Sequence, residues 1–189
     1  MTAPLRVVAV SGSLHEPSKT TALLRAITAA VAERAPVETQ LIELTQVGPS
    51  LAGALTRDQL PPEVEAQLQA IETADLLIVG SPVYRASFTG LFKHLFDFVD
   101  QYALVGTPVL LAATGGGERH ALMIEHQLRP LFAFFQALTL PLGVYASTTD
   151  FDGYEVATDV LRARIALAAE RALPLVGYTL SRPSELLVG

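Results

Sequence analysis

Short β-branched and aliphatic runs alternate along the chain with polar or glycine-rich turns and then with stretches of helical periodicity. Apolar runs predict strands over Arg6–Val10, Glu38–Glu43, Leu76–Gly80, Pro108–Ala113 and Leu140–Ala146. Apolar positions three and four residues apart predict helices over Thr20–Arg34, Pro62–Thr73, Gly90–Asp97, Glu118–Leu138 and Thr158–Leu173. The first, third and fourth strands are almost wholly apolar, as strands covered on both faces should be. Strand and helix in alternation imply βαβ units. The expected fold class is therefore α/β, a five-stranded parallel sheet doubly wound with helices on both faces. Thr45–Leu60 carries Gly48, Pro49, Ser50 and Gly53 and reads as a loop. One domain spans 1–189, and 178–189, with Pro183 and no clear period, reads as a flexible or partner-docking tail.

A doubly wound sheet binds ligands beyond the C-terminal ends of its strands. The informative loops are therefore Ser11–Lys19, Ser81–Thr89 and Thr114–Gly117. The first leaves a buried strand and enters a helix, whose N-terminus offers unpaired N–H groups and the positive end of the dipole. Ser11, Ser13, Ser18, Thr20 and Thr21 add hydroxyls, Lys19 adds one cation, and Gly12 permits close backbone approach. That set suits a phosphate monoester. Spacing excludes a Walker loop, because counting from Gly12 puts Pro17 and Ser18 where glycine and lysine are needed. It also excludes a G-x-G-x-x-G fingerprint, which needs more than one glycine. An ordinary helix cap would explain Ser18 and leave the other hydroxyls unexplained. In the second loop, a proline followed by an apolar and an aromatic residue can wall off a flat ring. The third loop has no side chains at Gly115–Gly117 to hold a ligand away from its amides.

Composition narrows the partners. The 189 residues are 50% hydrophobic and 17% charged, with a formal net charge of -6 and no run of Lys or Arg. A nucleic-acid partner needs a basic stripe, and an anionic membrane surface a basic amphipathic helix; neither partner is expected. The absence of cysteine removes disulfides, iron–sulfur clusters and thiol catalysis, and suits a cytoplasmic protein. The N-terminus runs straight into a strand pattern, so no signal peptide is read. The most apolar stretch, Leu128–Ala146, contains Arg129, Pro130, Gln136 and Pro141 and is a poor membrane span. No His/Asp/Glu spacing resembles a metal site.

Three motifs in order, G-S-x-x-x-x-S-K-T from Gly12, S-P-V-Y-x-x-x-x-T-G-x-x-K-x-x-x-D from Ser81 and A-T-G-G from Ala113, resemble the NAD(P)H-dependent FMN reductases. Within them they resemble the branch that supplies reduced flavin to alkanesulfonate and methanesulfonate monooxygenases. The likeness runs over about residues 5 to 175. It implies a flavodoxin-like fold, an FMN cofactor, NADH or NADPH as donor, and a homo-oligomer, dimer or tetramer. It also implies an FMNH2-dependent monooxygenase as partner. Ser11, Ser13, Ser18, Lys19 and Thr20 would bind the FMN phosphate. Pro82, Val83, Tyr84 and Arg85 would border the isoalloxazine, and Thr114, Gly115 and Gly116 would contact its pyrimidine edge. The flavin is the electron sink in this chemistry, so no protein acid or base is required.

Pro130 falls inside the helix predicted over Glu118–Leu138. It lacks an N–H for the carbonyl of His126 and crowds it, so a kink or wide turn is expected there. The resemblance places His126 where the alkanesulfonate reductases carry the tyrosine of a π-helical insertion. His126 is thus the candidate for flavin retention and transfer. His94 is expected on a polar helix face. Phe88, Phe92, Phe96, Phe98, Phe132, Phe134 and Phe135 exceed what one core face needs, which points to a helix–helix subunit interface. Two other functions fit the same fold: an NAD(P)H quinone, azo-dye or chromate reductase with fixed FMN, and a flavodoxin-type electron carrier.

Overall fold

The computed structural model describes residues 3–176, so the tail expected at 178–189 lies outside the described residues. β1 (Leu5–Ser11) is followed by α1 (Lys19–Ala32), β2 (Val37–Glu43), α2 (Leu44–Leu51), α3 (Pro62–Glu72), β3 (Leu76–Pro82), α4 (Gly90–Asp97) and β4 (Pro108–Gly115). Then come α5 (Arg129–Phe134), β5 (Leu138–Thr139), β6 (Val144–Ser147), the hairpin β7 (Phe151–Asp152) and β8 (Glu155–Val156), and α6 (Asp159–Val176). The main sheet is parallel, in the order β2-β1-β3-β4 with β5 and β6 both beside β4. Order reverses at β1/β3, so the crevice between the loops after β1 and β3 is the topological switch point.

Alternate strand residues feed two cores. Val7, Ala9 and Ile78 face Leu24, Ile27 and Ile165 of α1 and α6. Val8, Val10 and Val79 face the helices of the other side, among them Phe92, Phe96 and Phe132. The phenylalanines are spent here. Phe96 lies 4.9 Å from both Phe92 and Phe132, ring centre to ring centre, and all three are buried. Phe98 and Phe135 are buried as well, and only Phe134 of the seven stands exposed, at 65%. For the buried members of this aromatic set the subunit-interface reading is therefore corrected: an aliphatic sheet face covered by short helices needs large side chains to fill the gap. His94 is also not on a polar face. It packs edge-on against Phe98 at 4.8 Å, with Nε2 3.2 Å from the Leu51 carbonyl oxygen.

Three boundaries differ from the pattern. The expected loop 45–60 begins with α2, despite Gly48 and Pro49, because Leu44, Gly48 and Leu51 make a buried stripe and tertiary packing outweighs propensity. A Cβ on Gly48 would lie 3.2 Å from Leu91, so the glycine lets α2 close on α4. The fifth strand is split. Leu138–Thr139 pairs with Pro108–Val109, Val144–Ser147 pairs with Ala112–Gly115, and Pro141 and Gly143 fall between them. A Cβ on Gly143 would sit 2.8 Å from Ile124, which enters the gap. The helix expected over Glu118–Leu138 breaks into a 3-10 turn (Glu118–His120), a π-helical turn (Ile124–Leu128) and α5. The π turn is the wide turn that Pro130 demands, and His126 lies at its centre. None of the helices among the described residues is long and apolar enough to cross a membrane.

Candidate functional site

The loop between β1 and α1 is held in an internal web of hydroxyls. Ser18, extended at φ -134°, caps α1 and accepts from the Thr21 N–H at 3.3 Å. The first-turn N–H groups of Lys19 and Thr20 then remain for a ligand, at the positive end of the helix. Ser11 and Thr21 share a hydrogen between their hydroxyls at 2.8 Å, and Ser13 donates from its hydroxyl to the His15 carbonyl at 3.0 Å. Thr20 and Thr114 do the same across the crevice at 2.6 Å, which ties the first loop to the end of β4. Lys19 donates to the Thr148 carbonyl at 3.3 Å and lies 5.7 Å from the Phe151 ring centre. The five expected phosphate residues are thus brought together in two layers. Ser11, Ser13 and Thr20 are buried within the loop, while Ser18 and Lys19 are half-exposed at its mouth.

The loop after β3 is anchored to the first. Gly12 donates to the Gly80 carbonyl at 2.7 Å, and the Thr89 hydroxyl donates to the Gly12 carbonyl at 2.8 Å. Beyond Pro82, the Val83 N–H donates to the Thr114 carbonyl at 2.7 Å. Tyr84 and Ser87 exchange backbone bonds of 2.8 and 3.1 Å around Arg85 (φ 50°) and Ala86 (φ 70°). Two consecutive non-glycine residues at positive φ store strain at the crevice, a common mark of ligand loops. The turn leaves the Tyr84 ring 55% exposed, with the Arg85 guanidinium 5.8 Å from its centre. The Ser87 hydroxyl donates to Gln127 Oε1 at 3.0 Å, joining this turn to the π turn. A cleft of about 180 Å³ lies between the two turns, lined by Val83, Ala86, Arg119, His120, Met123 and His126 among others.

The third loop presents bare backbone. Among the described residues no group accepts from the Gly116, Gly117 or Glu118 N–H. Thr114 is buried, Gly115 half-buried and Gly116 exposed. Behind them the Tyr145 hydroxyl donates to the Gly117 carbonyl at 2.6 Å. Burial, with Glu118 nearby, pushes the Tyr145 phenol up from its ordinary pKa. A cavity of about 720 Å³ lies beyond the Ser18 cap between α1 and the hairpin. Glu16, Glu43 and Glu155 line it against the single cation Arg25, which is paired with Glu43, a poor setting for an anion.

The sequence motifs contain Thr89 without assigning it a role, and they leave out Tyr145 and Thr148. Position held the signal for two of them: Tyr145 and Thr148 sit at the C-terminal end of the last sheet strand, as close to the crevice as the three loops singled out. Just beyond, Asp150 closes the rim. It accepts from the Ser147 N–H, the Ser147 hydroxyl and the Thr158 hydroxyl, each at 2.8 Å. Burial would raise its pKa, but these bonds and the charge of Arg164 outweigh it and hold the carboxyl below its ordinary value. A depressed folded-state pKa adds stability above the unfolded pKa and loses it as pH falls through the folded one. Thermal unfolding at pH 7, 5 and 3 should therefore show Asp150→Asn less stable than wild type at pH 7. The gap should close below about pH 4, where an unfolded aspartate protonates. An unchanging gap would refute this account of Asp150.

Free amides and an ammonium at the N-terminus of a helix, facing bare backbone across a strained turn, fit a mononucleotide whose flat base lies at the strand ends. The fold and these loops are those of a flavodoxin-like, nucleotide-binding oxidoreductase. The chain belongs to the family of NADPH-dependent FMN reductases, which it matches over residues 5–152. It is 58% identical over 177 residues to an FMN reductase (NADPH) of Pseudomonas aeruginosa, covering 94% of this chain and 95% of that one. It is 59% identical over the same length and shares to the NADH-dependent FMN reductase SfnF of Pseudomonas fluorescens. An oxidoreductase of known structure from Corynebacterium diphtheriae superposes with a TM-score of 0.79 at 38% identity, over 93% of this chain and 98% of that one. This protein is accordingly an NAD(P)H-dependent FMN reductase.

Proposed function

We propose that this reductase works as one half of a two-component system, releasing reduced FMN to a separate monooxygenase of alkanesulfonate or methanesulfonate sulfur assimilation. FMN, when bound, would supply the electron sink for the hydride of the reduced nicotinamide. The chain's own residues bind, aim and let go. Ser13, Ser18 and Lys19, with the first-turn amides of α1, hold the phosphate, while Ser11 and Thr20 fix the loop that carries them. Pro82, Val83, Tyr84 and Arg85 border the ring, and the backbone of Thr114, Gly115 and Gly116 meets its pyrimidine edge.

The observation that carries the release half of this reading is the π-helical turn Ile124–Leu128. It is bonded through Gln127 to the turn that borders the ring, so it can loosen that wall without touching the phosphate loop. His126 at its centre is the candidate residue for flavin retention. Leu122 is 62% exposed beside this turn and Phe134 is exposed on α5, which supports assembly into a dimer or tetramer through this side.

Purified protein should be colourless, and its oxidation of NADH or NADPH should depend on added FMN. Deleting His126 should remove one residue from the wide turn and leave the protein yellow, with slower transfer of reduced FMN to a sulfonate monooxygenase. A wild-type protein that retains FMN through purification and reduces quinones without free flavin would instead favour a fixed-cofactor quinone reductase.

A further inference from the structure

We propose that Tyr145 is a positioning residue for the flavin, setting from β6 the aim of the glycine-loop amides. The inference rests on the reading that these amides face the pyrimidine edge of FMN. Tyr145 is 7% exposed and paired in the sheet with Ala113, one residue before Thr114. Its ring rises under the loop from there. A Cβ on Gly115 would collide with the Tyr145 hydroxyl and lie 3.3 Å from Cζ, so the ring and the bare backbone are in direct contact. The hydroxyl then donates to Gly117 at 2.6 Å.

That bond fixes a peptide plane. A trans peptide sets its C=O and N–H antiparallel, so drawing the Gly117 carbonyl toward Tyr145 turns the Glu118 N–H the opposite way, off the sheet. With Gly116 and Gly117 this makes three consecutive amides that have no acceptor among the described residues. The Thr148 hydroxyl, 3.4 Å from the Gly115 carbonyl oxygen, supports the same loop from the same side. The Gly117 carbonyl also accepts from the His120 N–H at 3.2 Å, so it keeps one partner if the phenol is lost. The Tyr145 hydroxyl is therefore dispensable for satisfying the carbonyl but not for aiming the plane. Donors at the pyrimidine edge favour the reduced flavin, where negative charge gathers, over the oxidised one.

The test compares wild type, Tyr145→Phe, Gly115→Ala and the double variant by FMN titration. It adds the visible spectrum and midpoint potential of bound flavin, and the melting temperature without flavin. Tyr145→Phe should bind FMN about tenfold more weakly, the worth of one net hydrogen bond. It should shift the flavin band, lower the potential and move the melting temperature by less than about 4 °C. Gly115→Ala should lose binding, and adding Tyr145→Phe should recover part of it, because the colliding oxygen is gone. Tyr145→Phe with wild-type affinity, spectrum and potential would overturn the role of Tyr145 alone. Wild type that binds no FMN would overturn the flavin reading and this role with it. If Gly115→Ala does not fold, Tyr145→Phe still decides the matter.

Discussion

Replacing Gly12 with alanine should reduce FMN affinity by at least about tenfold and destabilise the protein by about 1–3 kcal/mol, the usual cost of overpacking. Gly12 is buried where β1 ends, and an added Cβ would lie 2.8 Å from the Phe92 ring and 3.0 Å from Ser81 Cβ and Oγ. Neither neighbour can retreat. Phe92 is stacked between Phe88, at 5.6 Å, and Phe96, while Ser81 is fixed in the β3 ladder. Gly12 itself must therefore shift outward, against its bond to Gly80 and the Thr89 bond to its carbonyl. Ser13 is the next residue, so any shift reaches the phosphate loop. Calorimetric titration with FMN reads the affinity, and an affinity equal to that of wild type would refute the close fit at Gly12.

Phe96→Ala should have the larger effect on stability, about 3–5 kcal/mol and a melting temperature lower by about 10 °C or more. Phe96 touches rings from both sides of its layer: Phe92 on its own helix, and Phe132 and Phe135 from the segment that follows the π turn. The neighbouring rings are themselves buried in fixed contacts and cannot move in to fill the cavity. Since Phe92 borders Gly12 and Phe132 lies one turn beyond the π turn, truncation should also weaken FMN binding, though less than Gly12→Ala does. Thermal unfolding of both variants beside wild type checks the order. A loss under about 1 kcal/mol for Phe96→Ala would mean that the aromatic layer is not the keystone of this face.

Much of this architecture was legible because hydrophobic periodicity is a short-range property. The apolar runs at Val7–Val10, Leu76–Val79 and Val109–Ala113 specify buried strands on their own, and three strand ends specify where to look for a ligand. Pro130 announced the wide turn, since a missing N–H is a local fact. What the pattern concealed depended on contacts between distant segments. Gly48 and Pro49 argue against a helix locally, and only the packing of Leu44, Leu51 and Leu91 makes one. The gap in the fifth strand exists because Ile124 needs the space at Gly143. The phenylalanines looked surplus because a sequence counts aromatics without showing how wide a space they must fill. At the site, hydroxyls that all look like phosphate ligands divide into Ser18, half-exposed at the mouth of the loop, and those of Ser11 and Thr20, buried and bonded to Thr21 and Thr114.

The split strand has a consequence for how this molecule meets others of its kind. An exposed sheet edge is a row of unsatisfied N–H and C=O groups on which a foreign strand can build, and proteins suppress such growth with short, interrupted or charged edges. On the β4 side the edge comes in pieces of two and four residues with Pro141 between them, too brief to template a strand addition. The opposite edge, β2, is continuous over seven residues but carries Glu38, Thr39 and Gln40 exposed along it. The same interruption that admits Ile124 beside the sheet thus guards a chain that is half hydrophobic against fibrous self-association.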